Sequence, residues 1–285
     1  MTTEVKNSHE KVSPTAWGVA AQRAVCDIPF AKEVLDELTK VMTSKEREQM
    51  TALSEKNQKL TPQFEARHKL LNRFLKETGI HQILELAAGV TSRGIDMTQD
   101  KKISYVELDL PGIARQKREI VASLVRQGKI QQPENLEIFA GSALDDLSEA
   151  TAHFDTKKPI AVVHEGLLRY LNFEEKTRVI KNVRKLLQKF GGVYITCDIT
   201  LRIFIDERQR MLVSNMVGMD INANAFENVE AAERFFSELG FTIEKHSFLE
   251  AQNSLVSPPL LGLSADDVLK VLRDPVFFVM RLKNS

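Results

Sequence analysis

Between residues 80 and 197, short apolar runs alternate with helical stretches, and this rhythm constrains the chain more than any other feature. The runs cover residues 80–86, 103–108, 136–139, 160–163 and 193–197. Between them, residues 113–126 and 174–189 place apolar side chains at helical spacing, as does a shorter stretch at 143–150. Strands that alternate with helices pair in parallel, and the helices then cover both faces of the sheet. Residues 241–248 and 276–282 read as two further strands that can pair as a late antiparallel addition. The expected fold is α/β: a doubly wound, Rossmann-like sheet of seven strands, mostly parallel.

The flanking segments read differently. Residues 1–12 are polar and are expected to form a disordered tail. From residue 13 to about 57 the pattern is helical, and a further helix is expected over 62–78, with Thr61 as its cap, Pro62 in its first turn and Gly79 as its stop. After the fifth strand, residues 201–219 and 229–239 read as helices, and Ser264 with Asp267 suggests a capping box ahead of one more. The whole of 13–285 is expected to be one domain, with a helical cap at 13–60 and a helical lid at 201–228.

Composition removes several classes of partner. Lys+Arg and Asp+Glu each number 39, so the formal charge is zero and there is no general attraction to nucleic acid or to an acidic membrane. No apolar run approaches the roughly 20 residues of a membrane helix, and the polar start lacks the form of a signal peptide. Cys26 and Cys197 show no metal-ligand spacing and suit small apolar packing in a reducing compartment. A soluble cytoplasmic protein without a metal is the expectation; its oligomeric state is not legible.

The first strand ends in Glu85-Leu86-Ala87-Ala88-Gly89, and the second in Glu107-Leu108-Asp109. In open α/β sheets, ligands sit beyond the carboxyl ends of the strands, and an acid about 20 residues after a small-residue turn can accept both hydroxyls of a ribose. Gly89 and Asp109 have that separation. Asp109 is also a suitable cap for the helix starting near Pro111, so both readings stand. The turn has one glycine followed by Val90-Thr91-Ser92-Arg93, a poor match to the glycine-rich turn that holds a pyrophosphate.

The stretch from Ile83 to Lys117, with its E-L-D-L-P element, resembles the leucine carboxyl methyltransferase family, which shows L-G-A-G-x-D-T-R after strand one and E-V-D-x-P, then a Lys, after strand two. His164-Glu165-Gly166-Leu167-Leu168-Arg169-Tyr170-Leu171 is similar to the family's E-G-L-L-x-Y-L. Thr15-Ala16 followed by Arg23-Ala24, Arg67, and the final strand from Phe278 match further family elements. The resemblance implies the seven-stranded class I methyltransferase fold, S-adenosyl-L-methionine as cofactor, and a site built from Arg67, Glu85, Ala87, Gly89, Arg93, Asp109, Ser142, Ala143 and Glu165. Within it, Arg67 implies a contact to the cofactor's carboxylate, and Glu165 one to its amino group. Ala87 replaces a family glycine, and Ser142 stands where an Asp usually faces the adenine, so Ser142 or Asp145 would take that role.

The chemistry expected is methyl transfer to an oxygen of a small-molecule or peptide acceptor. A sulfonium is already activated, so catalysis reduces mainly to positioning. Tyr170 is the candidate for orienting the acceptor and His164 a secondary candidate for a base, needed for a hydroxyl and not for a carboxylate. Two other readings compete. An inactive binding or scaffold protein would keep the fold, and an NAD(P)-dependent reductase would usually carry Tyr-x-x-x-Lys. Tyr105, Tyr170 and Tyr194 all lack Lys four residues on.

Overall fold

The computed structural model describes residues 13–199, 201 and 223–283. The expected tail at 1–12 and most of the expected lid, 202–222, lie outside the described residues. The sheet has seven strands: β1 (Gln82–Leu86), β2 (Ser104–Asp109), β3 (Leu136–Ala140), β4 (Ile160–His164), β5 (Gly192–Thr196), β6 (Phe241–Ser247) and β7 (Val276–Leu282). Their order is β3-β2-β1-β4-β5-β7-β6, parallel except for β7, which is antiparallel to both neighbours. This is the sheet expected from the sequence.

Burial explains which strand sits where. Every residue of β1 and β4 is buried, as central parallel strands covered on both faces require. At the two edges, β3 and β6 leave Glu137, Glu244 and Lys245 exposed, which discourages pairing with a further strand. One face packs Leu84, Val106, Val162 and Tyr194 against α7 (Phe173–Phe190) and α8 (Val229–Glu238). The opposite face packs Ile83, Tyr105, Val163 and Phe277 against α4 (Thr61–Thr78) and α10 (Ala265–Leu272). Among the described residues, no helix is long and apolar enough to cross a membrane.

Local sequence signals set the helix ends. Asn172 with Glu175, and Ser264 with Asp267, form capping boxes at the starts of α7 and α10. Gly79 ends α4 in the left-handed conformation, at φ 64°. Two expectations are corrected. Thr61 is the first residue of α4 rather than its cap, and its hydroxyl bonds Gln22 Oε1 and the Gln58 carbonyl. The stretch 143–150 forms turns, not a helix, because the backbone N–H groups of Leu144 and Ser148 bond locally to Ser142 Oγ and Asp146 Oδ1.

Three helices, α1 (Ser13–Ala24), α2 (Ala31–Val41) and α3 (Ser44–Lys56), lie ahead of the sheet and roof its carboxyl edge. Trp17, Val34, Leu38 and Met50 bury their apolar faces with Ile120 and Leu124 of α6 (Pro111–Arg126). Polar contacts fix this roof. Gln22 of α1 donates to the Ser54 carbonyl of α3 at 2.5 Å. Glu37 of α2 accepts from Ser123 and Gln127 of α6 at 2.6 and 2.8 Å. Hydrogen bonds from Lys40 and Ser123 hold the Glu37 carboxyl at about 2.

Candidate active site

Strand order reverses at β1, with β2 and β3 to one side and β4 and β5 to the other. At such a switch point the loops leaving neighbouring strands diverge and open a crevice. A cavity of about 750 Å³ lies there, within the roughly 300–1,000 Å³ usual for small-molecule sites. Its floor comes from residues after β1 (Ala87 to Ser92), β2 (Asp109 to Ile113), β3 (Gly141 to Leu144) and β4 (Glu165 to Leu171), and α1 lies across it.

The turn after β1 is tightly built. Ala87 has φ 51° and Gly89 φ 61°. Gly89 donates its N–H to Asp109 Oδ2 at 2.6 Å, and Leu110 donates to Oδ1 at 2.7 Å. Asp109 thus ties the ends of β1 and β2 while its carboxylate faces the cavity. Beneath, Lys117 of α6 pairs with Glu107 at 2.8 Å and donates to the Thr91 carbonyl, so a buried ion pair fastens the turn. An L-residue at positive φ costs about 1 kcal/mol or more relative to glycine. Ala87→Gly is therefore expected to raise the melting temperature of the ligand-free protein by about 2–4 °C, measured by thermal unfolding; an unchanged or lower value contradicts a strained turn.

Burial pushes the Asp109 carboxyl up to about 6, against the opposing pull of the Gly89 and Leu110 N–H groups. Because its folded value lies above the ordinary aspartate value, the protonated form adds stability below about pH 4, and that stability is lost as pH rises through 6. A ligand whose hydroxyls donate to the ionised carboxylate shows the opposite trend. Its affinity is expected to fall up to about tenfold between pH 7 and 5, checked by titration of S-adenosylhomocysteine across that range.

At the β1/β4 end of the cavity lies a cluster of buried charges. Glu165, just past β4, pairs with Arg23 of α1, with Arg67 of α4 at 2.9 Å, and with Arg93. Arg93 also pairs with Glu85, while Tyr105 donates to the other Glu85 oxygen at 2.8 Å. Arg93 Nε donates to Asn72 Oδ1 at 2.7 Å, and its Nη2 meets His68 Nδ1 at 3.2 Å. Burial, reinforced by Arg93 and Arg23, drives His68 well below its ordinary value, so it is neutral. Burial opposes the Glu165 charge, yet the arginines Arg23, Arg93 and Arg67 hold that carboxyl well below the usual range. Three guanidinium groups thus face two carboxylates.

The structure brings Arg67, Glu85, Ala87, Gly89, Asp109, Ser142, Ala143, Glu165 and Tyr170 to the cavity wall. It does not place Arg93 there: this side chain is fully buried behind the wall, holding Glu85 and Glu165. His164 is also absent from the wall. It is completely buried in β4, with Nε2 against the Tyr194 hydroxyl and Nδ1 against that of Thr196, and burial lowers it to about 4. Asp145 turns toward Arg178, at 3.8 Å, and leaves Ser142 on the wall. Arg23, His68, Asn72 and Tyr105 were not singled out from sequence as site residues. For Arg23 the N-terminal R-A element was the available signal; nothing linear marks the others.

The fold and this cavity define a Rossmann-like protein with a nucleoside-sized site at its switch point. The chain belongs to the leucine carboxyl methyltransferase family, whose model matches residues 14–184, and S-adenosylmethionine is the cofactor of that family. A protein of Mycobacterium sp. (strain KMS), named "Putative S-adenosyl-L-methionine-dependent methyltransferase", is 27% identical over 61% of this chain and 58% of its own length. A Mycolicibacterium smegmatis protein with a similar name is 25% identical over 65% of this chain and 63% of its own. The chain thus spans about six tenths of these relatives. A crystal structure of a duf574 family protein from Streptomyces avermitilis shares the fold at a TM-score of 0.56, with 17% identity over 90% of this chain and 91% of that one.

Proposed function

We propose that this chain is an S-adenosylmethionine-dependent O-methyltransferase acting on a small-molecule or peptide acceptor. The observation that carries the reading is one cavity with Asp109 at the β2 edge and an excess of guanidinium charge at the β1/β4 edge. Those are the two recognition elements a nucleoside joined to an amino acid requires. The residues present fit this cofactor. Asp109 accepts the ribose hydroxyls, the left-handed turn at Gly89 allows close backbone approach, and Ser142 and Ala143 flank the base. Arg67 pairs the carboxylate through a charge-assisted bond.

When bound, the cofactor supplies an activated methyl group on a sulfonium. The chain's own task is to hold the acceptor in line and exclude water. Leu53, Leu60, Phe64, Leu167 and Leu171 give that part of the cavity an apolar wall, and Tyr170 orients the acceptor's oxygen. No histidine lines the cavity among the described residues. A carboxylate acceptor, ionised at neutral pH, needs no general base, whereas a hydroxyl acceptor is helped by one.

The test is transfer of labelled methyl from S-adenosylmethionine to a panel of carboxylic acids and hydroxy compounds. Carboxylate transfer gives a methyl ester that releases labelled methanol in base, whereas an ether does not. Cofactor binding with no transfer to any acceptor would favour an inactive binding protein, the reading to which Ala87 and Ser142, as departures from the family pattern, give weight.

A further inference from the structure

We infer that the base end of the cavity accepts a 6-oxopurine as well as adenine, with Ser142 as the residue that meets position 6 of the ring. The inference rests on the proposed function and deepens it, naming which nucleosides the same site takes.

Topology places the base. The strands run in the order β3-β2-β1-β4. A ribose at Asp109, on β2, with the amino-acid end at the guanidinium groups by β1 and β4, leaves the base pointing toward β3. The residues that leave β3, Gly141 to Leu144, line the cavity there. Gly141, Ala143 and Leu144 have no polar side-chain atom, so Ser142 is the one side chain of this stretch able to bond a base edge.

Hydrogen bonding then sets what this wall offers. Ser142 Oγ accepts the Leu144 N–H at 3.2 Å, and its own proton has no acceptor among the described residues. A hydroxyl has one donor and two acceptor lone pairs, and it rotates to suit its partner. With one lone pair occupied, Ser142 still donates to a carbonyl oxygen or accepts from an amino group. The neighbouring acceptors are turned into the protein. The Ser142 carbonyl receives the Asp145 N–H at 3.0 Å, and the Ala143 and Asp145 carbonyls receive the Asn182 amide at 3.3 and 2.7 Å. The Asp145 carboxylate faces Arg178, off the cavity wall. None of these acceptors is left to confront position 6. An acceptor-only group there, such as a carboxylate, selects the amino group of adenine and repels the oxygen of hypoxanthine, because two acceptors then face each other. A neutral hydroxyl serves both.

The test uses S-adenosylhomocysteine and S-inosylhomocysteine, which differ in the base alone. Both are titrated calorimetrically into the parent, Ser142→Asp and Ser142→Ala. The parent is expected to bind both. Inosine also carries a hydrogen on N1, so the readout is the ratio of the two affinities, in which a difference at N1 common to the three proteins cancels. Ser142→Asp is expected to shift that ratio about 10–100-fold toward S-adenosylhomocysteine, the range for a polar group left facing no partner. Ser142→Ala removes one neutral bond and is expected to weaken S-inosylhomocysteine by about 2–10-fold. A parent that binds S-adenosylhomocysteine but not S-inosylhomocysteine, or a ratio unchanged in Ser142→Asp, overturns the inference while leaving the proposed function standing. If Ser142→Asp does not fold, Ser142→Ala decides the matter, and an unchanged affinity for S-inosylhomocysteine overturns the inference. A parent that binds neither ligand overturns both.

Discussion

Arg93→Met is expected to destabilise the ligand-free protein by about 3–5 kcal/mol, the usual cost of breaking a buried ion network from one side. Arg93 is fully buried and bridges Glu85 and Glu165, with Asn72 and His68 on its remaining nitrogens. Methionine fills much of the same volume, so the loss is electrostatic rather than a cavity. It strands Glu85, whose carboxyl burial already drives upward and Arg93 pulls back down. Denaturant unfolding measures the effect. Arg73→Met is the comparison: Arg73 pairs with Glu250 at the surface with 38% of its side chain exposed, and its loss is expected to cost under about 1 kcal/mol. Equal effects at the two sites would show that the buried cluster does not organise the fold.

Asp109→Ala is expected to weaken S-adenosylhomocysteine by about 100-fold or more. Two hydroxyl donors lose an ionised acceptor, and bonds to charged groups contribute about 1.5–3 kcal/mol each. The substitution also frees the Gly89 and Leu110 N–H groups, which Asp109 receives at 2.6 and 2.7 Å, and so loosens the turn. Removing a carboxyl that burial raises to about 6 offsets part of that loss at neutral pH. Folding stability is therefore expected to change far less than affinity. Calorimetry and thermal unfolding on the same variant separate the two; an affinity within threefold of the parent would remove Asp109 from ligand recognition.

Much of the fold was legible because its strands are short, apolar and regularly spaced. The range 276–282 is led by five consecutive apolar residues, Val276 to Met280, and matches β7, while 193–197 differed from β5 by one residue at each end. The failures have local causes. At 143–150, Ala143, Leu144, Leu147 and Ala150 mimic helical spacing, but Asp146 and Ser148 offer the backbone bonds that compete with a helix. His164, at the end of a strand, is a secondary candidate for a base in the sequence. Strand alternation puts it with Ile160 and Val162 instead, on the face packed by Tyr194. The site was half legible. Asp109 and the β1 turn announce themselves through spacing. The charge cluster does not, since Arg23 and Glu165 are 142 residues apart and meet only when α1 crosses the sheet edge. Arg93, read as a ligand contact, proves to support the residues that line the wall.

The most direct single measurement is a crystal structure of the complex with S-adenosylhomocysteine. The account predicts both ribose hydroxyls within about 2.5–3.0 Å of the Asp109 carboxylate, with the ligand's carboxylate at the guanidinium end of the same cavity. A ribose bound elsewhere, or an Asp109 side chain turned away from it, would contradict the account.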